Sequence, residues 1–233
     1  MDSSRDRLIV ALDVPNAAEA RKIVTALGES VSTYKAGKQL FTAAGPAVVR
    51  ELTGAGRKVF LDLKYHDIPN TVAAAVRAAL ELGVAMLTVH ASGGAKMLRA
   101  AVEAAAEAQH PPLVLAVTVL TSMGDADLGE VGVPGTAQEQ VLRLASLAQK
   151  AGCGGVVASA QEAKLLRREL GAGFAIVTPG VRPAGGPPDD QARVATPSEA
   201  LAAGADYIVV GRPITGAKDP AAAARVIREE ISR

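Results

Sequence analysis

Cysteine is nearly absent, with Cys153 the only one in 233 residues. One cysteine cannot close an internal disulfide or supply a Cys-rich zinc site, and on its own it reads as a small buried apolar residue. Tryptophan is missing and aromatics make up 3% of the chain, too few for a platform that stacks single-stranded nucleic acid. There is no excess of one charge: 25 Lys and Arg stand against 24 Asp and Glu, a net charge of +1. That balance removes the electrostatic case for nucleic-acid binding or a polybasic membrane anchor. No uninterrupted apolar run approaches the ~18 residues of a membrane span. The opening MDSSRDR lacks the apolar stretch of a signal peptide. A reducing, cytoplasmic location is the expectation these absences leave.

Apolar residues, by contrast, are plentiful at 49%, enough for a sizeable core. They fall into eight strand-like runs: 8–13, 32–38, 58–64, 85–91, 113–120, 154–159, 174–180 and 206–212. Ala-rich helical sequence follows most of them, with helices ending at Gly28, near Gly54 to Gly56, at Gly83 and near Gly171. Asn16 is placed to cap the first helix. No composition break divides the chain, so residues 1–233 are expected to form one domain. Repeated strand–helix units predict a parallel sheet with crossover helices, and eight of them fit a closed (β/α)8 TIM barrel, an α/β fold. A doubly wound open sheet is the alternative. It is weakened because LIVALDVPNAAEA stands where a G-x-G-x-x-G fingerprint would follow the first strand.

In such a barrel chemistry gathers where strands end. Asp13 ends the first run, Lys35 and Lys38 sit in the second, and Asp62 and Lys64 end the third, with His66 and Asp67 just beyond. His90 ends the fourth, Thr121 and Ser122 the fifth, Ser159 the sixth; Arg182 follows the seventh and Arg212 ends the eighth. Alternation along a strand puts Asp62 and Lys64 on one face. A bare D-x-K is most simply a solvated ion pair. Here it follows the apolar VFL and should meet Asp13 and Lys35 at one mouth, where charges must neutralise one another to be desolvated. A divalent metal on Asp13, Asp62, His66 and His90 is the rival reading. Two neighbouring ammonium groups oppose it, and the histidines lack a tight ligand spacing, so both are read as hydrogen-bonded strand-end residues. GVRPAGGPPDDQ (180–191), rich in Gly and Pro, reads either as a plain connector or, since loops this long in compact domains are often lids, as a lid. In VVGRP (209–213), Gly211 permits close backbone approach and Arg212 offers a fork for phosphate, in the loop region where these barrels bind it.

FLDLKYHDIPNT (60–71) contains D-x-K-x-x-D and resembles the signature of the orotidine 5′-phosphate decarboxylase family. The resemblance runs through VALD (10–13), YKAGKQLF (34–41), TVHASGG (88–94), AVTVLTSM (116–123), VTPGVRP (177–183), DDQ (189–191) and VVGRP (209–213), nearly the whole chain. It implies a (β/α)8 barrel, a homodimer, and conversion of orotidine 5′-phosphate to UMP and CO2 with neither cofactor nor metal. It implies that Lys64 donates the proton, flanked by Asp62 and Asp67, with Lys35 completing the charged array. Asp13 and Lys35 would bind the ribose, Asp67 and Thr71 would enter from the partner subunit, and Ile68 and Thr121 would contact substrate. Arg182, Gln191, Gly211 and Arg212 would hold the phosphate end. Two other readings compete. One is a sugar-phosphate epimerase or keto-gulonate phosphate decarboxylase on a related barrel, expected to need a divalent ion. The other is a non-catalytic nucleotide sensor, opposed by the intact Lys64 and its aspartates.

Overall fold

The computed structural model describes residues 6–183 and 195–232. Its strands are β1 (Leu8–Ala11), β2 (Thr33–Gly37), β3 (Lys58–Tyr65), β4 (Met86–His90), β5 (Leu113–Val117), β6 (Gly155–Val157), β7 (Ala175–Thr178) and β8 (Tyr207–Val210). Each pairs in parallel with its chain neighbours, and β8 returns to β1, so the sheet closes into a barrel. Closure decides between the two sheet topologies in favour of the TIM barrel.

Alternation sorts the strand residues into two cores. Ile9, Ala11, Phe60, Met86, Leu115, Val177 and Val209 pack inside the barrel. Leu8, Val10, Val59, Leu61, Leu87, Val89, Ile176 and Ile208 face outward, into the larger core shared with the helices. With both faces covered, the strands must be apolar on both, which is why they read as continuous Val/Ile/Leu runs.

The helices are α1 (Ala17–Leu27), α2 (Lys38–Ala44), α3 (Pro46–Gly54), α4 (Pro69–Leu80), α5 (Gly94–Ala105) and α6 (Asp125–Glu130), then α7 (Ala137–Lys150), α8 (Ala160–Leu170), α9 (Pro197–Ala202), α10 (Arg212–Thr215) and α11 (Pro220–Glu230). Asn16 caps α1 by accepting from the Glu19 N–H at 2.9 Å. Thr136 with Glu139, and Thr196 with Glu199, form capping boxes for α7 and α9.

Several boundaries differ from the sequence reading. The helical stretch after β2 is two helices, because Gly45 adopts φ 64° and Pro46 then starts a new first turn. Asp13 lies two residues past β1, Lys38 is the first residue of α2, and Arg212 opens α10 rather than ending β8. The segment between β5 and α7 holds α6, whose polar sequence DADLGE carries little apolar periodicity.

Candidate active site

The mouth of the barrel opens into a cavity of about 530 Å³ whose lining includes Asp13, Lys35, Asp62, Lys64, Thr121, Arg182, Gly211 and Arg212. Side chains from the loop after β1 and from β2, β3 and the loops after β5, β7 and β8 therefore meet, as the strand-end reasoning expected.

At its floor four charges alternate in sign. Lys35 Nζ lies 2.9 Å from Asp13 Oδ1 and 3.7 Å from Asp62 Oδ2. Lys64 Nζ donates to both Asp62 oxygens, at 2.8 and 2.9 Å. The Lys35 and Asp62 side chains are only 11% and 13% exposed, whereas that of Lys64 is 25% exposed and reaches the cavity. Burial is the largest influence on Asp62 and pushes its pKa up. The Lys64 and Lys35 ammoniums, with hydrogen bonds from Lys64 and Thr88, outweigh it and leave the carboxyl below its ordinary value. The array is thus a fixed carboxylate gripping an ammonium that faces open space, an arrangement suited to stabilising negative charge and releasing a proton.

Simple alternation is not what aims Lys64. It takes φ 54°, the only positive φ of a non-glycine residue among those described, and the β3–β4 register shifts between Leu61 and Tyr65. A non-glycine residue in the left-handed region costs about 1–2 kcal/mol, held here at the centre of the charged array.

Three contributors escaped sequence reasoning. Thr88 on β4 is fully buried and donates to Asp62 Oδ1 at 3.0 Å; in sequence it reads as an ordinary strand threonine. Gly37 makes room for the Lys35–Asp13 pair, since a Cβ there would lie 2.9 Å from both Asp13 Oδ1 and Lys35 Nζ. Gln39 also lines the cavity, and no chemical pattern marked it. Gly211, in contrast, is not demanded by packing within the chain, because a Cβ there would meet only Ala11 Cβ at 3.6 Å.

Other expected residues lie apart. Asp67, Ile68 and Thr71 are exposed around the start of α4 and do not line the cavity. Asp67 Oδ1 accepts from the Ile68 N–H at 2.6 Å, and Ile68 is 65% exposed, unusual for an isoleucine. Gln191 and most of the 180–191 loop fall outside the described residues. His66 and His90 stack with ring centroids 5.2 Å apart, and His90 Nδ1 pairs with Ser92 Oγ at 2.9 Å. Burial, then the neighbouring His66, Lys64 and Lys38, lower the His90 pKa, so its ring stays neutral at neutral pH. Among the described residues no three His, Cys, Asp or Glu side chains gather as a metal site. No helix among them is long and apolar enough to cross a membrane. Cys153 is buried, and burial pushes its thiol up to about 12, so it is inert.

Comparison with known proteins gives one consistent answer. The family model described as "Orotidine 5'-phosphate decarboxylase / HUMPS family" matches residues 6–227. A protein of Halorhodospira halophila named orotidine 5'-phosphate decarboxylase is 57% identical over 97% of this chain and 96% of its own length. A protein of the same name from Nitrosococcus oceani is 54% identical over 98% of both. The crystal structure of orotidine 5'-phosphate decarboxylase from Lactobacillus acidophilus superposes with a TM-score of 0.88 at 43% identity, covering 97% of this chain and 99% of that one.

Proposed function

The chain belongs to the orotidine 5′-phosphate decarboxylase / HUMPS family, and on that premise we propose that it converts orotidine 5′-phosphate to UMP and CO2. This is the closing step of UMP synthesis, and in our reading it proceeds without metal or cofactor, with Lys64 as proton donor. The observation that carries this reading is the Asp13–Lys35–Asp62–Lys64 array at the cavity floor.

The chemistry explains the array. When the bond from C6 of the pyrimidine to the carboxylate breaks, its electron pair stays on C6 in an orbital lying in the ring plane. The ring π-system cannot delocalise that pair, so stabilisation must be electrostatic. A fixed ammonium meets the need. Lys64 is a compact point charge with a transferable proton, and Asp62 holds it immobile through two hydrogen bonds. As CO2 leaves, the C6 pair takes a proton from Lys64 Nζ, forming the C6–H bond and leaving a neutral amine that solvent reprotonates. Because the positive charge is in place beforehand, no reorganisation is needed as negative charge develops.

The remaining roles follow from family resemblance and from position. Lys35 and Asp13 bind the ribose hydroxyls, Thr121 contacts substrate, and Arg182, Gly211 and Arg212, with Gln191, hold the phosphate. Phosphate binding far from C6 supplies energy that assembles and dehydrates the site. In a homodimer, Asp67, Ile68 and Thr71 complete the neighbouring site; their exposure outside their own cavity supports this. The reading as a sugar-phosphate epimerase or keto-gulonate phosphate decarboxylase is disfavoured because the relatives at 54 and 57% identity carry the name orotidine 5'-phosphate decarboxylase.

The test is to add orotidine 5′-phosphate to the protein in excess chelator and follow the absorbance change as UMP forms. Turnover undiminished by chelator is expected. Absence of turnover, or turnover that returns only with a divalent ion, would overturn the reading.

A further inference from the structure

The β3–β4 pairing is interrupted where the chemistry sits. Leu61 pairs with Leu87 and Tyr65 with Val89, so β3 advances four residues while β4 advances two. The extra length of β3 bulges over Asp62, Leu63 and Lys64. Bulges re-aim side chains and leave backbone groups without their usual ladder partners. The Lys64 N–H is such a group, and it donates to Thr88 Oγ1 at 2.8 Å.

Thr88 lies between Leu87 and Val89, which face the outer core, so its own side chain points into the barrel. It is fully buried. Its hydroxyl has one proton, and its two contacts dictate where that proton goes. A backbone N–H can only donate and an ionised carboxylate can only accept. The Thr88 proton is therefore directed at Asp62 Oδ1, 3.0 Å away, and a lone pair receives the Lys64 N–H. Asp62 in turn accepts from Lys64 Nζ. The backbone of Lys64, the Thr88 hydroxyl, the Asp62 carboxylate and the Lys64 ammonium close a ring of hydrogen bonds. β-Branching restricts the Thr88 rotamer, so the ring has little freedom to turn.

We propose that Thr88 is a positioning residue for proton donation, its hydroxyl holding both the left-handed backbone of Lys64 and the carboxylate that aims the Lys64 ammonium. The proposal rests on the reading of Lys64 as proton donor. It explains how a β3 bulge in an unfavourable conformation keeps one geometry: a single side chain from the neighbouring strand fastens it at both ends.

The experiment compares wild type, Thr88→Val and Thr88→Ser with orotidine 5′-phosphate, measuring kcat, KM and the affinity for UMP. Valine keeps the shape and removes the hydroxyl, while serine keeps the hydroxyl. Misplacing a reacting group by about 1 Å can cost on the order of a hundredfold. Thr88→Val is therefore expected to lose about ten- to a hundredfold in kcat, with KM and UMP affinity nearly unchanged, and Thr88→Ser to recover most of that loss. A Thr88→Val enzyme with wild-type kcat overturns the proposal. So does a Thr88→Ser enzyme as impaired as Thr88→Val, or a loss expressed in KM and UMP affinity alone. Should Thr88→Val not fold, Thr88→Ala takes its place; if neither folds while Thr88→Ser does, the hydroxyl is structural and the positioning role is overturned. Wild type and Lys64→Ala run in parallel separate the two levels. An inactive wild type or an active Lys64→Ala refutes the reading beneath and the Thr88 role with it, whereas normal behaviour of both alongside an unaffected Thr88→Val refutes the Thr88 role alone.

Discussion

Replacing Asp62 with alanine should destabilise the fold, and the cost should depend on whether Lys64 is present. Asp62 is 13% exposed and lies 2.8 Å from Lys64 Nζ. At that separation two unit charges attract by about 6 kcal/mol at an effective dielectric of about 20. Desolvation offsets several kcal/mol of this. Breaking one side of a buried pair costs about 3–5 kcal/mol. Lys64 is itself partly exposed and can turn toward water, so we expect about 2–3 kcal/mol for Asp62→Ala. In a domain of this size that corresponds to roughly 5–10 °C in Tm. Asp62→Ala/Lys64→Ala should be less destabilised than the sum of the single variants, with a coupling of about 1.5–3 kcal/mol in a double-mutant cycle from denaturant unfolding. The pH dependence carries a definite sign. Because the folded pKa of Asp62 lies below its ordinary 3.8, its contribution is fully present above the ordinary value and is lost as pH falls through the lower folded one. The stability difference between wild type and Asp62→Ala should therefore hold at neutral pH and shrink only in acid below about pH 4. A coupling under about 0.5 kcal/mol, or a difference that disappears near pH 6, would refute an Asp62 that grips Lys64 as an ionised carboxylate.

Arg212→Ala should weaken phosphate-bearing ligands about ten- to a hundredfold while sparing the bare nucleoside, since one charge-assisted bond to phosphate is worth roughly 1.5–3 kcal/mol; titrating UMP against uridine checks this, and equal losses would place the phosphate site elsewhere. At position 64, φ 54° should make Lys64→Gly more stable than Lys64→Ala by about 1 kcal/mol in denaturant unfolding, because both delete the ammonium and only glycine relieves the backbone; equal stabilities would mean that the position carries no strain. In the homodimer proposed above, mixing inactive Lys64→Ala and Asp67→Ala chains and allowing subunit exchange should restore about a quarter of wild-type activity, because about half the dimers would be mixed and each would have one intact site; no recovery despite confirmed exchange would refute shared sites.

The barrel was legible because closure, burial and sequence pattern agree. Strands covered on both faces must be apolar throughout, so Leu8–Ala11 and Tyr207–Val210 stand out from the helices between them. Charges are costly at the end of such a run unless something uses them, and Asp62, Lys64 and Lys35 were recognisable for that reason. The aim of Lys64 was expected from alternation but depends on a bulge and a left-handed residue. A bulge depends on pairing with the next strand, which no local pattern encodes. Thr88 and Gly37 were missed for a related reason. A threonine inside TVH and a glycine before a helix have ordinary local explanations, and their roles emerge only against Asp62 and against the Lys35–Asp13 pair. α6 was missed because six residues with one buried side chain make no periodicity to read.

The most direct test of the account is single-turnover decarboxylation by Lys64→Ala, with UMP affinity measured on the same preparation. If the Lys64 ammonium, held by Asp62 at the cavity floor, stabilises charge that forms only as CO2 departs, its loss falls on the chemical step. We predict a rate reduced by more than about a hundredfold, in line with removal of a preorganised electrostatic stabiliser, and UMP affinity largely retained. A rate above about a hundredth of wild type, or a loss matched by an equal loss of UMP affinity, would contradict Lys64 as the group that meets the developing carbanion.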